Sequence, residues 1–135
     1  MSYRFLEHTA DVKFEAVGKS LEEVFVSSAV VLFESIYGEV KVKNKIKKKI
    51  EVEGEDNVSL LYLFLEEFLY LLDAEDFIGV EVRDVKIDGY KLSAIVVGDK
   101  ASNYNFTNEV KAITYSDMKV EKKVGGWVAT GVFDV

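Results

Sequence analysis

Between Val58 and Leu72 the chain is almost entirely Leu, Val, Phe and Tyr, broken only by Ser59 and the pair Glu66-Glu67. That run is shorter than the roughly 20 residues a membrane span needs, and too apolar to lie open to water. It predicts a buried helix reaching about Asp73, the most buried element of the fold. The polar stretch Glu55-Asp56-Asn57 comes before it, with Asn57 as the candidate N-cap. A helix so apolar must be covered by other elements, and most of the remaining chain alternates in the manner of strands.

Two short strands are predicted at the start, Tyr3 to His8 and Val12 to Val17. In the second, Val12, Phe14 and Ala16 alternate with Lys13 and Glu15. Asp11 shares the parity of Lys13 and Glu15, so its carboxylate is expected at solvent or in a cleft. Ser20-Leu21-Glu22-Glu23 has the form of a capping box, opening a helix with apolar residues at helical spacing as far as Ile36 and a stop at Gly38. From Val40 to Val52 the even positions other than Asn44 and Lys48 are Val or Ile. The odd ones are Lys41, Lys43, Lys45, Lys47, Lys49, Glu51 and, just beyond, Glu53. One long strand, or two, would follow.

Phe77 to Ile87 reads as a strand whose apolar parity slips between Val82 and Val85, which predicts a bulge near Arg83-Asp84. Asp88-Gly89 then turns a hairpin into Tyr90 to Val97. Asp99 to Asn105 is predicted as a polar loop. Glu109 to Tyr115, Met118 to Val124 and Trp127 to Phe133 follow as three strands, the last two joined at Gly125-Gly126. The whole order predicts one α+β domain over residues 1–135: two helices packed on a mostly antiparallel β-sheet.

Composition narrows the chemistry. Apolar residues make up 49% of the chain, which excludes intrinsic disorder and points to a soluble globular protein. The formal charge of −7 argues against holding nucleic acid mainly by an overall basic surface, so a role with RNA is expected to be indirect. With no Cys and a single His, His8, there can be no disulfide, thiolate nucleophile or Cys-based metal site. The glycines form no phosphate-binding loop. An N-terminus without an apolar core makes the cytoplasm the expected compartment.

What remains is carboxylate chemistry. Asp134 is followed by Val135, whose α-carboxylate would place two anions side by side. With Asp11 brought near, the set would be rich in oxygen and suited to a hard cation such as Ca²⁺ or Mg²⁺, with His8 standing behind it. The spacing equally allows Asp11 to cap a turn and Asp134 to be an exposed end. Glu109 and Lys111 are expected on one face, away from Val110 and Ala112, as a simple exposed ion pair or as part of a site. The lysines from Lys41 to Lys49 read as protection of an exposed strand edge, or as a stripe that steers RNA or an acidic partner.

Three motifs taken in order, Phe5-Leu6-Glu7-His8-Thr9-Ala10-Asp11, Glu109-Val110-Lys111-Ala112-Ile113-Thr114-Tyr115 and Gly126-Trp127 leading to Phe133-Asp134-Val135, resemble those of the archease family. The resemblance covers the whole chain. It implies a small protein that activates the GTP-dependent tRNA-splicing RNA ligase, speeding guanylylation of the ligase, allowing multiple turnover and broadening its nucleotide use. It also implies a divalent-metal site at Asp11, Asp134 and Val135 and a part in activation for Lys111. RNA would be met through the ligase. Ser116 stands where family members often have histidine, which leaves that position without an implied role.

Two other classes fit the same residues. A free-standing metal-dependent hydrolase would use His8 or Glu109 as general base. A metal- or RNA-binding module without an enzyme partner would use the lysine stripe and the loop around Tyr104.

Overall fold

The computed structural model describes residues 2–6, 11–106 and 109–135. In chain order the elements are β1 (Ser2–Leu6), β2 (Val12–Gly18), α1 (Leu21–Tyr37), β3 (Ile46–Glu53), α2 (Asn57–Glu75), β4 (Phe77–Asp88), β5 (Lys91–Lys100), a short 3₁₀ turn (Ala101–Asn103), β6 (Ala112–Lys123) and β7 (Gly126–Asp134). Two helices on antiparallel strands is the expected α+β plan, with one correction. The strands form two sheets, a four-stranded one in the order β1-β2-β7-β6 and a three-stranded one in the order β3-β5-β4. Each helix packs on both, α1 against β2, β7 and β4 and α2 against β6, β3 and β4, so the helices form the seam between the sheets.

Both helices begin where side chains can satisfy the first free N–H groups. Ser20 Oγ accepts from Glu23 N at 3.1 Å, and the Glu23 carboxylate accepts from Lys19 N at 2.6 Å, one residue beyond the usual capping-box target. For α2 the cap is Asp56, not Asn57. Asp56 Oδ1 accepts from Ser59 N at 2.7 Å, and Ser59 Oγ in return accepts from Asp56 N at 3.1 Å. Hydrogen bonding from Ser59, its backbone N–H first, holds the Asp56 carboxyl below its ordinary range. Gly38 closes α1 at φ 56°, donating to Glu34 O at 2.8 Å.

α2 is not the most buried element. It buries Leu60, Leu61, Phe64, Leu65, Phe68, Leu69 and Leu71, whereas α1 buries nine residues, two of them serines. The small Ser27 and Ser28 let α1 lie close to its neighbours, and Ser28 Oγ donates to Val24 O at 2.8 Å to satisfy its hydroxyl. Phe64 meets Phe25 of α1 at 5.6 Å between ring centroids and Phe68 meets Phe33 of α1 at 4.8 Å, tying the two helices through fully or nearly fully buried rings. Each such ring contributes about 1.5–3 kcal/mol by leaving water.

The bulge expected near Arg83-Asp84 is present: the β4–β5 register shifts between Arg83 and Lys86, and Asp84 takes φ 54°. The hairpins turn at Gly89 and Gly125, both at positive φ. Three differences from expectation exceed a residue or two. β3 starts only at Ile46, because beyond that point Tyr104 OH, and not a strand, accepts from Lys43 N at 3.0 Å. β5 continues to Lys100, taking in the start of the expected polar loop. The two strands expected between Glu109 and Val124 are one, β6, starting at Ala112 and interrupted between Thr114 and Lys119, where Asp117 has φ 60°.

Candidate functional site

β7 lies between β2 and β6, so whatever its end carries is flanked by both neighbours. Val12 of β2 pairs with Phe133, and Asp11 is the residue just before Val12. On the other side Ala112 of β6 pairs with Asp134, and the Lys111 N–H donates to Asp134 O at 2.7 Å. One end of the four-stranded sheet thus gathers Asp11, Lys111, Asp134 and Val135, from segments far apart in the chain. His8 lies outside the described residues, as do Thr9 and Ala10 of its motif.

Burial changes abruptly at this end. Phe133 is fully buried, its ring 4.9 Å from that of Phe14 on β2 and tilted by 32°. The next two residues, Asp134 and Val135, are exposed, while Asp11 is half-buried. A packed aromatic pair therefore holds the strand end in place just before the exposed Asp134 and Val135. Among the described residues no three His, Cys, Asp or Glu side chains gather as a metal site. The set here contains only two carboxylate side chains, Asp11 and Asp134; its third member would be the main-chain carboxylate of Val135. All its donors are oxygens, which fits a hard divalent cation and not a soft one.

Glu109 and Lys111 are exposed, but they precede β6 and do not alternate within it. Val110 is buried and Ala112 half-buried, so Lys111 does stand with Glu109 away from both. Lys111 lines a surface groove of about 600 Å³ between α2 and the end of β3, together with Glu53, Glu66, Glu67 and Asp73. Desolvation, and secondarily the charge of Glu75, pushes the Glu67 carboxyl above its ordinary range. Sequence reasoning missed these acidic neighbours of Lys111. Glu66 and Asp73, with Leu63 and Tyr70, follow helical spacing on the outer face of α2, a signal masked by the apolar character of the run.

The interruption of β6 shapes the same flank. Tyr115 stacks on Tyr62 of α2, with ring centroids 4.1 Å apart and 16° between planes, although Tyr115 is half exposed. Ser116 N donates to Thr114 Oγ1 at 2.8 Å, closing the local turn with its backbone.

The sequence model of the Archease protein family matches residues 3–135. The chain belongs to the archease family. It is 47% identical to the protein archease of Pyrococcus abyssi, across 96% of this chain and 95% of that one. Identity to the archease of Methanosarcina mazei is 35%, across 98% and 95%. A Methanobacterium thermoautotrophicum protein solved in solution superposes with a TM-score of 0.83 at 32% identity, covering 98% of both chains. A Thermotoga maritima archease, described as a possible chaperone, shares the fold at a TM-score of 0.67 and 20% identity, across 96% of this chain and 94% of that one. Among the described residues of this archease-family chain, no helix is long and apolar enough to cross a membrane.

Proposed function

We propose that this chain is an accessory activator of a GTP-dependent tRNA-splicing RNA ligase, not an enzyme itself. It speeds guanylylation of the ligase, sustains multiple turnover and widens nucleotide use. The observation that carries the reading is the meeting of Asp11, Lys111, Asp134 and Val135 at one sheet end in a member of the archease family.

In this reading Asp11, Asp134 and the Val135 carboxylate hold Ca²⁺ or Mg²⁺. A divalent ion held there supplies positive charge beside nucleotide phosphates. Lys111, on the adjoining segment, adds a cation whose ammonium is aimed at developing phosphate charge in the ligase's own reaction. Glu109 and His8 take part in activation in the same reading, although His8 lies outside the described residues. The buried Phe14–Phe133 pair fixes the carboxylate end, so little ordering is left to be done on binding. The protein meets the ligase in the cytoplasm, and in this reading its effect on RNA joining passes through the ligase.

The test is to mix the pure protein with a tRNA-splicing ligase, GTP and Mg²⁺ or Mn²⁺, and follow covalent guanylylation of the ligase. Acceleration is the expected result. Unchanged guanylylation, or GTP hydrolysis by the pure protein alone at a rate that survives repurification, would overturn the reading and in the second case favour a hydrolase.

A further inference from the structure

Six of the 17 basic residues of this acidic chain fall between Lys41 and Lys49. Lys41, Lys43, Lys45, Lys47 and Lys49 are all exposed, and among the described residues only Lys49 is held in an ion pair, with Glu51 at 3.0 Å. Lysines on an exposed edge strand are commonly explained as a guard against pairing with another chain. That explanation covers Lys47 and Lys49, since the β3 ladder spans Ile46 to Glu53. It does not cover Lys41, Lys43 and Lys45, which precede the ladder.

The line of the strand nevertheless continues through them. Lys45 N donates to Gly98 O at 2.8 Å and Lys43 N to Tyr104 OH at 3.0 Å, so alternate N–H groups reach toward β5 and the turn that follows it. Tyr104 is fixed in turn by donating its hydroxyl to Asp99 Oδ2 at 2.6 Å. An extended chain sets alternate residues roughly 6.6 Å apart, so Lys41 to Lys49 can form a row of charges up to about 26 Å long. Beside the row the half-buried rings of Tyr104 and Phe106 lie parallel, 5.9 Å apart with 14° between planes.

We propose that this segment is a track for the phosphate backbone of single-stranded RNA, gripped by Lys41, Lys43, Lys45 and Lys47 with Tyr104 and Phe106 as a platform for bases. A single evenly spaced row follows one strand and does not straddle a duplex, and aromatic faces beside cations recognise nucleobases better than they do an acidic peptide. The acidic remainder of the surface repels RNA, so contact is confined to this track. The proposal stands independently of the ligase reading.

The probe is a 5′-fluorescein-labelled oligouridylate of about ten nucleotides, titrated with the full-length protein alone and followed by fluorescence anisotropy in KCl from about 25 to 200 mM. Four phosphates neutralised on a single strand give a log–log salt slope near about −3. Replacing Lys41, Lys43, Lys45 and Lys47 together by Ala should weaken binding at least tenfold and flatten the slope, with the melting temperature confirming the fold. Lys43→Glu alone serves if the fourfold variant does not fold, and should weaken binding severalfold. Replacing Lys119, Lys122 and Lys123 by Ala, a second basic group on β6, should leave affinity within about twofold. The proposal is overturned by absent binding at the lowest salt, or by variants that bind like wild type. It is also overturned if polyglutamate or phosphatidylserine vesicles displace the RNA at equal charge concentration, which would assign the surface to an acidic protein or a membrane.

Discussion

Truncating Phe133 to Ala tests whether the end of β7 is anchored as the structure requires. The ring is fully buried and packs on Phe14, and its strand pairs on both sides, with Val12 and Ile113. Removing a fully enclosed phenyl ring costs about 3–5 kcal/mol, the lost transfer energy plus the cavity left behind. For 135 residues the unfolding entropy near the midpoint is about 0.3 kcal/mol/K, so Phe133→Ala should lower Tm by about 10–17 °C. Phe133→Leu keeps much of the volume and forfeits chiefly the ring–ring contact, about 0.5–1.5 kcal/mol, or about 2–5 °C. A double-mutant cycle with Phe14→Leu should return a coupling of that same size. Circular-dichroism melts at neutral pH, with and without Ca²⁺, measure all of these. A loss under about 1 kcal/mol for Phe133→Ala would mean that this end is not held by its core, and the account of an ordered carboxylate set would fail with it.

Asp11→Asn and Asp134→Asn should each shrink the rise in Tm caused by Ca²⁺ or Mg²⁺ and slow ligase guanylylation while leaving the metal-free fold intact; a C-terminal extension should do the same more mildly, and equal calcium affinities by calorimetry would separate these carboxylates from any shared ion. Lys111→Ala should keep the wild-type Tm but lose acceleration of guanylylation, with Lys111→Glu worse, and a fully active Lys111→Ala would remove the residue from the mechanism. Hydrogen bonds from the Tyr104 hydroxyl and the Lys100 N–H hold the folded Asp99 carboxyl below its ordinary 3.8, so its stabilising contribution is complete above that value and is lost as pH falls through the lowered folded value. Urea titrations should therefore show the destabilisation by Tyr104→Phe at full size above about pH 5 and shrinking below about pH 4; a difference that does not change across that range would show that Asp99 is not the group involved.

Features set by neighbours in the chain were legible. Ser20 and Glu23 announce the start of α1 because the groups they satisfy lie within four residues. The parity slip between Val82 and Val85 reports a bulge because it needs no knowledge of the partner strand. What depends on distant partners was not legible. The alternation of Val and Lys runs on through Val40 and Val42, yet the ladder stops at Ile46, and nothing near Lys43 foretells that Tyr104 will take its N–H. The division into two sheets rests on the pairing of β2 with β7, which no local pattern encodes. The family motifs singled out Asp11, Lys111, Asp134 and Val135, and the alternation of Glu109, Val110 and Lys111 foretold that Lys111 is exposed, but its acidic surroundings depend on the path of α2, which no local pattern encodes.

The central position of β7 also orders events in time. Val12 and Phe133 are separated by most of the chain, and closing so long a loop is slow because its entropy is lost before any pairing rewards it. Until β7 arrives, β2 and β6 each lack the strand that lies between them, and their facing edges have no ladder to complete. The hairpin through Gly125 lets β6 and β7 pair as close neighbours in the chain, so docking of that hairpin onto β2 is expected to follow it. Asp11 sits on one side of that junction and Lys111 on the other, so the gathering of these residues coincides with completion of the sheet. A partly folded chain carries the same side chains without their arrangement, which is complete only in the native state.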